Sequence, residues 1–168
     1  MRYFTTVQEP FTRNREHPGD IDLIIFSEVN KAIAFECKIV KATSQPTEKA
    51  KINKAEKLKE GVRQVNDYLK FGFSQVYLLI IILNDGRYYN KPNFINNHTL
   101  DGDLSKIYNG NWKNDLDNRI GIIYCKIEQT RNLSVDFNNN ILFKIERSAL
   151  SKKQNVKTKK MIESISDY

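Results

Sequence analysis

Eight consecutive apolar residues, Val76 to Leu83, constrain the fold of this chain more than any other stretch. A helix needs about 20 such residues to cross a bilayer, so this run cannot span one. It is rich in Val, Leu and Ile and ends on the turn signal Asn84-Asp85-Gly86, which predicts a strand over Gln75–Leu83. Near-continuous hydrophobicity is what a central strand covered on both faces requires. Ahead of it, Ala55, Leu58, Val62, Val65 and Leu69 recur at spacings of three and four. That stripe predicts a helix packed on the sheet, running from an N-cap at Thr47, with Glu48 in its first turn, to Phe71 and closed by Gly72.

Two short β-branched runs precede the helix. Ile21 to Phe26 and Ala32 to Val40 are separated by the polar turn Ser27–Asn30 and predict a hairpin. Strand alternation puts Ala34, Glu36 and Lys38 on one face of the second run and Ile33, Phe35, Cys37 and Ile39 on the other. Two further strands are predicted at Ile120–Ile127 and Ile141–Ile145. Residues 1–19 show no firm periodicity and are broken by Pro10 and Pro18, and 87–118 read as a long irregular excursion with one short helix. The order strand, strand, helix, strand, then late strands predicts an α/β sandwich around a mixed sheet. Residues 1–150 are expected to form a single domain, followed at 151–168 by a basic tail or helix carrying Lys152, Lys153, Lys157, Lys159 and Lys160. No internal repeat is visible.

With 168 residues the chain suits one domain with one core. Its 40% apolar and 28% charged residues suit a folded rather than a disordered protein. The net charge of +7 favours an anionic partner without choosing among DNA, RNA and an anionic membrane surface. Cys37 and Cys125 have neither a second cysteine nor a histidine at ligand spacing, which argues against a zinc knuckle. They read as reduced thiols. The opening MRYFTTVQEPF has no long apolar segment and does not read as a signal peptide, so a cytoplasmic protein that avoids membranes is expected.

Asp22 heads the first strand of the hairpin, and Glu36 and Lys38 share a face on the second. Two carboxylates brought together by adjacent strands make a hard oxygen site suited to Mg²⁺, with the backbone carbonyl of Cys37 as a further ligand. A metal there would polarise a phosphate and acidify a bound water. Lys38 would orient or help deprotonate that water, or neutralise charge as it develops. A Glu-x-Lys pair alone is an ordinary feature of a solvated strand face. Here it follows the apolar run Ala32–Phe35 and opposes Asp22, itself followed by four apolar residues, and buried charges need a partner or a metal.

On these residues the chain resembles the PD-(D/E)xK nuclease superfamily. Asp22, thirteen intervening residues and then Glu36-Cys37-Lys38 follow that pattern. The run Gly19-Asp20-Ile21-Asp22-Leu23-Ile24 is similar to members with Gly-(Glu/Asp)-Ile-Asp-Leu-Ile, and Ile21-Asp22 stands where the namesake has Pro-Asp. The resemblance covers residues 9–85. It implies a restriction-endonuclease-like fold, a central mixed β-sheet flanked by helices, and Mg²⁺-dependent cleavage of DNA phosphodiesters, with Mn²⁺ able to substitute. It makes Asp22 the metal-binding aspartate and Asp20 an accessory carboxylate. Gln64 and Tyr68 resemble the Gln-x-x-x-Tyr motif of the RecB-like branch. That implies that Gln64 holds the metal's water or a DNA phosphate and that Tyr68 contacts the DNA backbone, an i, i+4 pair on one helix face. Members also carry a glutamate on an early helix, for which Glu9 is the nearest candidate and Glu16 the second.

Other groups read less specifically. His17 is a candidate for touching phosphate or assisting a metal-bound water, and Arg13 and Arg15 for phosphate contact. Lys49, Lys51, Lys54, Lys57 and Lys59 read first as a solvated face and second as a phosphate-contacting one. Trp112 and Tyr108 are candidates for stacking on a base. The leading expectation is a DNA endonuclease or exonuclease of restriction, defence or repair, acting as a stand-alone enzyme, a homodimer or a subunit of a larger complex. The alternatives are a catalytically inactive nucleic-acid-binding or protein-interaction module of the same fold, and a structural domain whose charges form surface ion pairs.

Overall fold

The computed structural model describes residues 2–7, 20–27, 31–43, 51–53, 56–84, 105–129 and 139–166. Their core is a seven-stranded mixed sheet. The hairpin forms as the alternation requires: β2 (Ile21–Ser27) pairs antiparallel with β3 (Lys31–Thr43), Leu23 opposite Phe35 and Ile24 opposite Ala34. The apolar run becomes β5 (Gln75–Asn84), parallel to β3 on one side and to β6 (Gly121–Gln129) on the other. β7 (Asn139–Arg147) closes that side antiparallel to β6. On the far side β1 (Arg2–Val7), in a region with no firm periodicity, pairs antiparallel with β2. The order is β1-β2-β3-β5-β6-β7.

The helix is shorter than the span from Thr47 to Phe71 that the sequence predicts. It runs as α1 from Lys57 to Phe71, while Lys51–Asn53 form a short strand, β4, paired antiparallel with Lys41–Thr43 of β3. Thr47 lies outside the described residues, and the N-cap position belongs to Glu56. Gly72 ends the helix as expected, in the left-handed conformation (φ 87°), with its N–H donating to the Leu69 carbonyl at 3.1 Å.

Parallel strands need right-handed crossovers. The two crossovers step the same way across the sheet, from β3 to β5 and from β5 to β6, so handedness puts both on one face. Packing agrees. α1 lies over the face carrying Ala34, Glu36, Lys38 and Leu78. The second crossover contributes α2 (Ser105–Tyr108) and a 3-10 helix (Asn111–Asp115), and the Tyr108 ring packs on Tyr124 of that same face, centroids 5.0 Å apart. Val76, Leu78, Ile80 and Ile82 are fully buried beneath this layer, whereas Tyr77, Leu79, Ile81 and Leu83 on the opposite face of β5 are half-buried.

The C-terminal stretch is stitched to the rest. The N–H of Lys152 donates to the Ser74 carbonyl (2.8 Å) and that of Asn155 to the Gly72 carbonyl (3.0 Å). Gln154 Oε1 accepts from the Ala32 N–H at 2.9 Å. α3 (Val156–Ser166) follows, with Thr158 donating to the Phe71 carbonyl and Ile162 buried in the core. No helix among the described residues is long and apolar enough to cross a membrane.

Candidate metal centre

The register Leu23↔Phe35, carried one residue further, sets Asp22 beside Glu36 at the end of the hairpin. Asp22 Oδ2 accepts a hydrogen bond from the Cys37 N–H at 2.7 Å, which fixes the carboxylate across the two strands. An extended backbone sends a residue's N–H and C=O to the same side, so the Cys37 carbonyl also leaves β3 toward Asp22. The Cys37 side chain lies on the opposite face. Its thiol is pushed up to about 12, chiefly by burial and then by Asp22 and Glu36, and so stays protonated and inert.

Glu36 is 1% exposed, beneath α1. Lys38 Nζ is bonded to its Oε1. The Tyr68 hydroxyl lies 2.5 Å from its Oε2 and 3.0 Å from the Asp20 carbonyl. Burial raises the Glu36 pKa above its ordinary value, the bonds from Lys38 and Tyr68 oppose that rise, and the charge of Asp22 adds to it. Tyr68 is raised too, by burial first and then by Glu36, so it remains a neutral donor. The Lys38 side chain is 13% exposed, with its stem against Gly61 of the helix.

Gly61, Gln64 and Tyr68 follow at spacings of three and four on α1 and turn their face toward β3. Gln64 is buried there, and among the described residues its Oε1 meets no hydrogen-bond donor. The resemblance assigned Tyr68 to the DNA backbone. The structure buries its ring completely and aims its hydroxyl at Glu36 and Asp20, so Tyr68 braces the site from inside. Asp20 takes part through its main-chain carbonyl. Glu9, Arg13, Arg15, Glu16 and His17 lie outside the described residues. Val7 and Ile21 pair with each other one residue from Asp22.

Trp112 and Tyr108 are not available for stacking on a base: both rings are buried, with the Trp112 Nε1–H donating to the Lys106 carbonyl at 3.0 Å. A polar cavity of about 630 Å³ lies along α1 and is lined by Asn66, Lys70, Asp115, Asp117, Arg119 and Lys152, none of them a member of the carboxylate cluster. Its wall is internally bonded. Asn66 donates to the Asp115 carbonyl (2.8 Å) and accepts from the Asp117 N–H (3.1 Å), and the Arg119 guanidinium grips Asp117 with two bonds while its backbone N–H adds a third. This contact pins the second crossover to α1.

Among the described residues no group of three or more His, Cys, Asp or Glu converges to hold a metal. The donor set at the hairpin is smaller, two carboxylates and one carbonyl. That is too few for zinc or an all-protein calcium cage. It suits Mg²⁺, which keeps several waters and is bound through one or two carboxylates plus substrate phosphate. Sequence reasoning missed Gly61, although a glycine inside a strongly amphipathic helix is itself a signal of close approach. No protein-family model matches the chain, and the comparison with curated proteins found no match.

Proposed function

We propose that the chain is a Mg²⁺-dependent nuclease of the PD-(D/E)xK type that hydrolyses phosphodiester bonds in DNA. The observation that carries this reading is the convergence of Asp22, Glu36 and Lys38 on one sheet face, with both oxygens of the buried Glu36 engaged by Lys38 and Tyr68. An ammonium and a carboxylate buried together in the middle of β3 carry a desolvation cost that their pairing repays only in part, which supports a functional use for them. A bound Mg²⁺ would supply Lewis acidity and an acidified water. Asp22 offers its second oxygen, since Oδ2 is already tied to Cys37. Glu36 presents a carboxylate whose orientation Tyr68 fixes from below. Lys38, released from Glu36, neutralises charge developing on the phosphate. Mn²⁺ is expected to replace Mg²⁺, and the net charge of +7 suits a polyanionic substrate. The restriction-endonuclease-like arrangement belongs to this same proposal.

One feature favours a second reading. Lys38, Glu36 and Tyr68 already satisfy one another, as a closed polar network in an inactive DNA-binding module would. The deciding assay offers linear, circular, branched and single-stranded DNA with and without Mg²⁺ or Mn²⁺. Metal-dependent cleavage that disappears in Lys38→Ala and Asp22→Ala supports the nuclease. A well-folded sample that binds DNA yet cuts none of the four substrates supports the module.

A further inference from the structure

Gly61 sits inside α1, where glycine destabilises a helix relative to alanine. Its backbone does not explain it, because among the described glycines Gly72 alone has a positive φ. Space does. A Cβ at position 61 would lie 2.7 Å from Lys38 Cγ, 3.0 Å from Lys38 Cε and 3.1 Å from Leu78 Cδ1. The Lys38 stem therefore runs through the gap that the absent side chain leaves between helix and sheet, and its Nζ emerges against Glu36 Oε1.

We propose that Gly61 is the positioning residue for Lys38: the bare helix surface at 61 is the channel that directs the Lys38 ammonium onto Glu36. The nearest atom decides the argument. Cγ is set by χ1 alone, and χ1 has three separated wells. Sliding the far end of the lysine cannot relieve a contact at Cγ. Either χ1 leaves its well and carries the ammonium away from Glu36, or α1 lifts from the sheet. The first route dislodges Lys38 and the second uncovers it, and each leaves Asp22 and its bond to Cys37 in place. The consequence for cleavage rests on the nuclease proposed above, whereas the steric part does not.

The test is a cycle of four proteins: the unsubstituted chain, Gly61→Ala, Lys38→Ala and the double variant. With Lys38 truncated, alanine at 61 gains helix propensity and meets no stem, so the double variant should melt roughly 2–4 °C above Lys38→Ala. With Lys38 intact, the same alanine should leave the melting temperature unchanged or lower it. If Gly61→Ala fails to fold while the double variant folds, that too supports the proposal. The ¹³Cε resonance of Lys38, assigned by its loss in Lys38→Ala, should shift in Gly61→Ala. Where the parent cleaves DNA, kcat should fall about 100-fold, as a misplacement near 1 Å does, with KM and Mn²⁺ affinity nearly unchanged. An additive cycle together with an unmoved Lys38 resonance overturns the proposal. A parent that cleaves nothing overturns the nuclease reading instead, and the cycle and the resonance still decide the role of Gly61.

Discussion

The hydroxyl of Tyr68 and the carboxylate of Glu36 meet at 2.5 Å beneath α1, in a place solvent does not reach: Tyr68 is 0% exposed and Glu36 1%. The tyrosine crosses from helix to sheet and supplies one of the two donors that hold a buried acid, Lys38 supplying the other. Tyr68→Phe keeps the ring, which packs edge-on against Phe73 with centroids 6.5 Å apart. It removes the donor and leaves Glu36 Oε2 without that bond. The expected loss is about 1–3 kcal/mol of folding stability, the cost of a buried acceptor left unsatisfied, read from urea unfolding with an unchanged slope. A loss below about 0.5 kcal/mol would show that the hydroxyl does not brace Glu36.

The raised pKa of Glu36 has a definite sign in a stability profile. The folded state holds the proton more tightly than the unfolded chain, so stability falls as pH rises from the ordinary glutamate value of 4.5 through the raised folded value, and is flat below that window. Asp117 behaves oppositely. Its pKa is lowered from 3.8 to about 2, chiefly by its side-chain bonds to Arg119, so its contribution is present above 3.8 and lost as pH falls toward 2. Glu36→Gln should flatten the first slope and leave the second, while Asp117→Asn should do the reverse. Urea midpoints measured across both windows check each, and a Glu36→Gln protein that keeps the slope above pH 4.5 would show that another group is responsible.

The sequence was legible where one local rule sufficed. Val76 to Leu83 named the central strand because a parallel strand in mid-sheet tolerates apolar residues on both sides. The face shared by Glu36 and Lys38 followed from a period of two, and Asp22 joined it through hairpin register. What escaped depended on distant pairing or depth. Residues 51–53 lie within a helix-compatible stretch, yet they pair with Lys41–Thr43, a partner visible only once β3 overruns its expected end. Arg2–Val7 holds β-formers, but its partner is the first strand of the hairpin, reached only after a long connection. The spacing of Gln64 and Tyr68 identified their helix face correctly. It did not say how deep that face sits, and depth turned Tyr68 from an expected DNA contact into an internal brace.

Removing residues 151–168 tests whether that basic stretch is an appendage. It would delete the bonds that Lys152, Asn155 and Thr158 donate to Ser74, Gly72 and Phe71, and the one that Gln154 accepts from Ala32. At about 1 kcal/mol each, with about 1.5–3 kcal/mol for uncovering Ile162, the loss approaches the whole stability of a typical domain, about 5–15 kcal/mol. The shortened chain should show no cooperative thermal transition. Melting within about 5 °C of the full chain, a shift worth only one or two kcal/mol at this size, would make the stretch an appendage after all.

Asp22→Asn separates the architectural use of Asp22 from its chemical one. The Cys37 N–H needs an acceptor at 2.7 Å, and an asparagine Oδ1 supplies one, so the strands stay joined and the melting temperature should change by no more than about 2–4 °C. The second oxygen, the one the proposed metal centre would use, is replaced by an amide nitrogen that cannot bind a metal. With a donor set of two carboxylates and one carbonyl, losing one carboxylate should weaken Mn²⁺ binding at least about tenfold, or roughly 1.4 kcal/mol, by calorimetric titration. Asp22→Ala should lose the metal equally but also leave the Cys37 N–H without its partner, at a further cost of about 1–3 kcal/mol in folding. The pair therefore discriminates. Equal Mn²⁺ affinity in the unsubstituted chain and in Asp22→Asn would remove Asp22 from the metal centre, whatever the two variants do to stability.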